Sequence, residues 1–103
     1  MITVVNNRDY IRASGHAGSG TYPNDICCEC FGLLCQQLIY SLQDIVNEPV
    51  QYQLDKGYFC LDKSALPYRN PAAQTLLQSF ALGCDLLQQG YPNNITVFYP
   101  DKE

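Results

Sequence analysis

The chain has no tryptophan, one methionine and one histidine, and only six lysines and arginines against ten aspartates and glutamates. The net charge is −4, and the basic residues (Arg8, Arg12, Lys56, Lys63, Arg69, Lys102) are scattered along the sequence. A nucleic-acid binder must cluster positive charge to displace counterions, so this balance argues against nucleic acid as a partner. Long hydrophobic runs are also missing, and no segment could span a bilayer. Met1-Ile2-Thr3-Val4-Val5 carries neither a basic leader nor an extended apolar stretch. No export signal is therefore expected, and the expected compartment is the cytoplasm, where thiols stay reduced. Repeats, low-complexity tracts and linkers are absent too. What remains is 103 residues, 47% apolar and 16% charged, read as a single domain over 1–103 with a modest core.

Residues 2–5 and 10–14 read as two strands, with the polar break Asn6-Asn7-Arg8-Asp9 as a hairpin turn. Gly15 to Asn24 holds three glycines and a proline without hydrophobic period, and reads as a loop. A helix is expected from Ile26 to Val46. Asp25 suits its N-cap, and Phe31, Leu34, Cys35, Leu38, Leu42 and Ile45 form its apolar face. Val50 to Leu54 and Tyr58 to Leu61 read as a second hairpin around Asp55-Lys56-Gly57. A second helix starts at the Asn70 cap with Pro71 in its first turn, and Gly90 is expected to end it in a left-handed conformation. Its buried stripe is Ala73, Leu76, Leu77, Phe80, Cys84 and Leu87, and Ile95 to Tyr99 is the last strand. The order ββαββαβ predicts an α+β fold with one sheet of about five strands and two amphipathic helices. Two helices cover one face of such a sheet. The other face is left for solvent or a second copy, and eight tyrosines, several in strands, suit a homodimer.

Six cysteines in a reducing compartment are either small buried hydrophobes or thiols that do chemistry. Helical spacing separates the clustered four. Cys27 falls on the core face and Cys35 at its margin. Cys30 lies on the opposite flank, where burial against the sheet is expected. Cys28 is the third helical residue and lies near the edge of the stripe, facing the loop that carries His16 twelve residues earlier. A free thiol with a pKa near 8.5 is only ~3% ionised at neutral pH. A helix N-terminus and an imidazolium both raise that fraction. Together they make Cys28 and His16 a candidate acyl-transfer pair, with first-turn N–H groups as oxyanion donors.

These residues also carry a resemblance. Gly15-His16-Ala17, Tyr22 and Asp25-Ile26-Cys27-Cys28 resemble the signature of the bacterial ribosomal-processing cysteine protease (Prp) family, a Gly-His-Ala loop and an Asp-Ile-Val-Cys helix start at this separation. The Met-Ile-Thr-Val opening, the element order and the length are similar as well, so the resemblance covers essentially the whole chain. It implies a cysteine endopeptidase that removes an N-terminal extension from a large-subunit ribosomal protein precursor, or a phage relative acting on phage structural proteins. His16 then matches the catalytic histidine and Cys28 the nucleophile. Asp25 matches a neighbouring acidic position, where it caps the helix, orients His16, or does both. Gly15, Ala17, Gly18, Ser19, Gly20 and Tyr22 match the substrate loop. The sequence departs from the family pattern at Pro23, where the family commonly has glycine, and at Glu29 and Cys30, where small residues usually follow the nucleophile. Gly32 replaces a common serine. These departures favour a divergent or phage-associated member.

Other readings compete. Cys27-x-x-Cys30 with Cys28, Cys35 and His16 has zinc-binding residue types, but structural zinc sites usually draw on two such pairs. The C-x-x-C lacks the βαβ setting of a redox motif. The glycine-rich loop lacks the Gly-Lys-Ser/Thr ending of a phosphate loop, and nothing positions Ser19 as the helix positions Cys28. A non-catalytic dimeric interaction module is the remaining alternative. The expectation is a cytoplasmic, homodimeric cysteine protease acting on a protein substrate, without metal or cofactor and with no nucleic-acid or membrane partner.

Overall fold

The computed structural model describes residues 1–15 and 26–102. The first strand, β1 (Ile2–Asn6), turns through Asn7 into β2 (Tyr10–Ser14). The turn forms because the Asn7 side-chain oxygen accepts the N–H groups of Asp9 at 2.9 Å and Tyr10 at 2.8 Å, holding the chain in an Asx turn. Helix α1 (Ile26–Tyr40) continues into a π-turn at Ser41–Ile45. A hairpin of β3 (Gln51–Asp55) and β4 (Tyr58–Asp62) follows, then the short α2 (Leu66–Arg69). Helix α3 (Pro71–Gly90), strand β5 (Ile95–Phe98) and a 3-10 turn at Pro100–Lys102 complete the order.

The strands form one five-stranded sheet in the order β3-β4-β2-β1-β5. β5 is parallel to β1, and the other neighbours are antiparallel. Side chains alternate across the sheet, so the register puts Ile2, Val4, Ile11, Ala13, Phe59, Leu61 and Ile95 on one face, all buried. Both long helices lie on that face. α1 brings Cys27, Phe31, Cys35, Leu38 and Ile39, and α3 brings Ala73, Leu77, Phe80 and Cys84. Phe80 joins the layers, its ring 6.3 Å from Phe31 and 6.0 Å from Phe59 between centroids. The helices approach closely where α3 carries Gly83, because a Cβ there would meet Leu34 at 3.1 Å. The α+β architecture, the single mixed sheet and the two amphipathic helices are therefore as the sequence predicts. The opposite face carries Thr3, Val5, Arg12, Ser14, Tyr58, Cys60, Thr96 and Phe98, none of them buried.

Several expectations are corrected. The first helix does not run regularly to Val46. Its last turn is π, with the Val46 N–H on the Ser41 carbonyl at 3.1 Å. A wider turn advances each residue less, which carries Ile45 off the apolar face to 73% exposure. Asn47, at φ 59°, then redirects the chain toward β3, a conformation asparagine tolerates. Cys30 is exposed rather than packed on the sheet, because the core face of α1 centres on Cys35 and Leu42, on the far side of the helix. Gly90 is not left-handed. Tyr91 (φ −134°, ψ 60°) ends α3 and donates its N–H to the Leu87 carbonyl at 2.7 Å, so no left-handed residue is needed.

Candidate active site

β2 ends at the centre of the sheet, between β1 and β4. Its last step into the following loop is Gly15, whose φ of 102° is open to glycine and strained for other residues. Space there is equally restrictive, since a Cβ would sit 2.2 Å from the Met1 carbonyl oxygen. The Gly15 N–H donates to the carbonyl of Gly57, itself at φ 82°, at 3.0 Å. The exit point of the loop is thus held from both sides, by the start of β1 and by the β3–β4 turn. His16, Ala17, Gly18, Ser19, Gly20, Tyr22 and Asp25 lie outside the described residues, as does Pro23.

The other end of the loop is the start of α1. Cys28 is the third described residue of α1, in its first described turn. Its neighbours separate by rotation around the helix. Cys27 is fully buried, Cys28 half-buried against the core, and Glu29 and Cys30 exposed. Cys28 alone of these thiols is both positioned by packing and open to a reactant. Backbone N–H groups at a helix start are the kind of donor that can receive a developing oxyanion.

The buried thiols behave as packing. Cys35 and Cys84 are buried between α1 and α3, and burial pushes both thiols up, Cys84 to about 12. Among the described residues no group of three potential ligands converges on a metal position, and Cys27 and Cys30 point to opposite environments. Two hollows formed by described residues lie elsewhere. One is between α1 and α3, lined by Leu34, Leu38, Leu76 and Phe80, and the other is over Leu33, Tyr40 and Ile45. Among the described residues, no helix is long and apolar enough to cross a membrane.

The supporting residues that sequence reasoning missed are Met1 and Gly57, whose carbonyls crowd and bind Gly15. The only signal for Gly57 was its place in a hairpin turn. Nothing in the sequence placed Met1 against Gly15.

The profile of the family described as cysteine protease Prp matches residues 1–96. The chain belongs to that family. It is a cysteine protease of the Prp type. Solved Prp-like structures share its fold. The essential ribosomal processing protease Prp from S. aureus, in complex with a covalently linked product peptide, is similar at a TM-score of 0.87 and 23% identity, covering 96% of this chain and 99% of that one. The same S. aureus protease in complex with a substrate peptide gives 0.81 and 22%, with the same coverage. SMU.848 from Streptococcus mutans gives 0.77 and 28%, covering 95% of this chain and 90% of that one. No curated protein matches the sequence. Glu29, Cys30 and Gly32 lie within four residues of the candidate nucleophile. The first two are exposed, and a Cβ at Gly32 would meet no atom within 4 Å.

Proposed function

We propose that the protein removes an N-terminal extension from a large-subunit ribosomal protein precursor, using Cys28 as nucleophile and His16 as general base. One observation carries the assignment of Cys28. It is the half-buried thiol in the first turn of α1, at the end of the chain's glycine-rich loop, in a chain of the Prp family. In the first step the His16 imidazole takes the Cys28 thiol proton as Sγ attacks the scissile carbonyl carbon. The carbonyl oxygen becomes an oxyanion, held by first-turn N–H groups. Collapse breaks the C–N bond, and His16 returns its proton to the leaving amine. Water, deprotonated by His16, then attacks the thioester, and Cys28 leaves as the thiolate. Asp25 is the supporting residue of the pair, and Gly15, Ala17, Gly18, Ser19, Gly20 and Tyr22 belong to the substrate loop. The chemistry needs no cofactor.

The open sheet face supports a homodimer, and the reading takes each copy as a single domain acting in the cytoplasm. That face carries Phe98 at 48% exposure, and Arg12 stacked 4.4 Å over the Tyr10 ring. Arginine and aromatic residues together are typical of interface centres.

The test is incubation of purified protein with the ribosomal precursor and with a phage structural protein in parallel. The expected result is a shortened ribosomal product, lost in Cys28→Ala and His16→Ala. Cleavage of the phage protein alone would move the substrate assignment. Cleavage that survives Cys28→Ala would overturn the nucleophile. No cleavage of either, with acid-releasable zinc, would overturn the protease reading for this chain.

A further inference from the structure

The two edges of the sheet are not alike. On β5 the outward N–H groups are already used. Val97 donates to the Gln88 side-chain oxygen at 2.6 Å, and Ile95 to the Tyr91 carbonyl at 3.2 Å. The other edge is β3, and its bonding follows from its neighbours. Gly15 donates to the Gly57 carbonyl and Lys63 to the Asp9 carbonyl, so the odd-numbered positions along β4 face β2. Antiparallel strands alternate, so Tyr58, Cys60 and Asp62 face β3, where the register pairs them with Asp55, Gln53 and Gln51. Tyr52 and Leu54 are left with N–H and C=O directed away from the sheet.

Among the described residues this open edge lies on the side of the sheet that α1 covers. α1 contacts β3 and α3 contacts β5, so α1 covers the β3 side of the sheet. Leu34 and Leu38 face α3, and at about a hundred degrees per residue Cys28 and Gly32 fall on the flank of α1 turned toward β3. Among the described residues, Gly32 leaves that flank open, with no atom within 4 Å of where its Cβ would be. β3 itself runs into the turn whose Gly57 anchors the loop of His16. The register puts the side chains of Tyr52, 43% exposed, and Leu54, half-buried, on the helix side of this edge, with Gln51 and Gln53 on the other.

We propose that β3 is the substrate-docking strand. The extended backbone of the peptide to be cleaved adds to the sheet next to β3 and pairs with the outward N–H and C=O of Tyr52 and Leu54. Strand addition of this kind takes its affinity from main-chain bonds and its selectivity from alternate side chains. Substrate side chains on the helix side meet Tyr52, Leu54 and the gap at Gly32, and apolar residues fit there. Those between them lie by Gln51 and Gln53, where polar residues fit. The occupant is a peptide rather than a second copy because the edge leads to the flank of Cys28, where an extended chain must pass to be cut. The proposal rests on the protease reading above.

The experiment uses the full chain and peptides spanning the cleavage junction of the ribosomal precursor, N-methylated at one backbone nitrogen at a time. Each methyl removes one donor. The expected profile is periodic, KM rising about three- to tenfold at every second position and little between. Tyr52→Pro removes an outward donor that makes no ladder bond, and proline is tolerated on such an edge. It is expected to raise KM by a similar factor at nearly constant kcat. If that variant fails to fold, the methylation scan still decides, since it leaves the protein untouched. A flat scan with robust Cys28-dependent cleavage overturns the docking strand and leaves the protease reading intact. The docking strand is equally overturned if Tyr52→Pro alters only the sedimentation behaviour, which would mark β3 as a self-association edge. If the unmodified protein neither binds nor cuts the unmethylated peptide, both readings fall together.

Discussion

The N–H of Gly15 donates to the carbonyl of Gly57 at 3.0 Å, joining the last residue before the His16 loop to the turn between β3 and β4. Both residues have positive φ, 102° at Gly15 and 82° at Gly57, so each end of this bond depends on glycine. The loop is therefore launched from a rigid point.

Gly15→Ala is expected to destabilise the protein by about 2–4 kcal/mol, combining an unfavourable φ with a Cβ at 2.2 Å from the Met1 carbonyl oxygen. Gly32→Ala should do the opposite. It adds a methyl to open space inside a helix, and a gain of roughly 1 kcal/mol is expected. Urea titrations of the two variants against the parent check both signs.

Cys28→Ala should leave stability within about 1 kcal/mol of the parent, since its thiol is only half-buried, while product formation stops. Iodoacetamide should modify Cys28 and the exposed Cys30 in the folded protein and leave Cys35 and Cys84 untouched. The rate of modification at Cys28 should fall when His16 becomes Ala, whereas Cys30 should be indifferent. Peptide mapping by mass spectrometry reads each site separately.

Alkaline pH should unfold the protein through its buried thiols. Burial raises Cys84 from 9.0 to about 12, and Cys35 is raised further by the same cause with a contribution from Cys84. The native state thus holds these protons more tightly than the unfolded chain. The stability this provides is full below about pH 9 and is lost progressively between 9 and 12. Burial also raises Tyr99, helped by its hydrogen bond to Asp85 at 2.7 Å, and acts in the same direction. The urea midpoint should fall steadily over this range, and Cys84→Ala should flatten the fall.

Arg69→Gln should cost about 1 kcal/mol, more than most surface ion-pair changes. Its Nη2 lies 2.6 Å from the Oε1 of Glu48, whose side chain is only 12% exposed and whose oxygen has no other partner among the described residues. Removing the cation leaves that carboxylate poorly solvated. Glu48→Gln together with Arg69→Gln should recover part of the loss, which a double-mutant cycle by thermal melting measures.

Much of this fold was legible because its signals are local. The Asn70-Pro71 start of α3 is an example. The Asn70 oxygen accepts from Ala72 at 3.1 Å and Ala73 at 3.4 Å, as a cap residue before proline should. The hidden features were those decided by tertiary contact. Ile45 fits an α-helical stripe, and only the π-turn removes it. Cys30 could not be told from a packed residue until the centre of the α1 core face was known. At the candidate site, the half-buried position of Cys28 at the edge of the apolar stripe was legible from helical phase. The confinement of Gly15 was not, because its neighbours Met1 and Gly57 are remote in sequence and meet it only through strand pairing.

The closed state of β5 has one more result. Sheets that leave both borders unpaired can recruit copies indefinitely, each arrival offering a fresh border to the next. Here Gln88 acts as a stopper on one side, so even at high concentration such growth would end after two molecules. Fibre formation would first require that glutamine to let go of Val97.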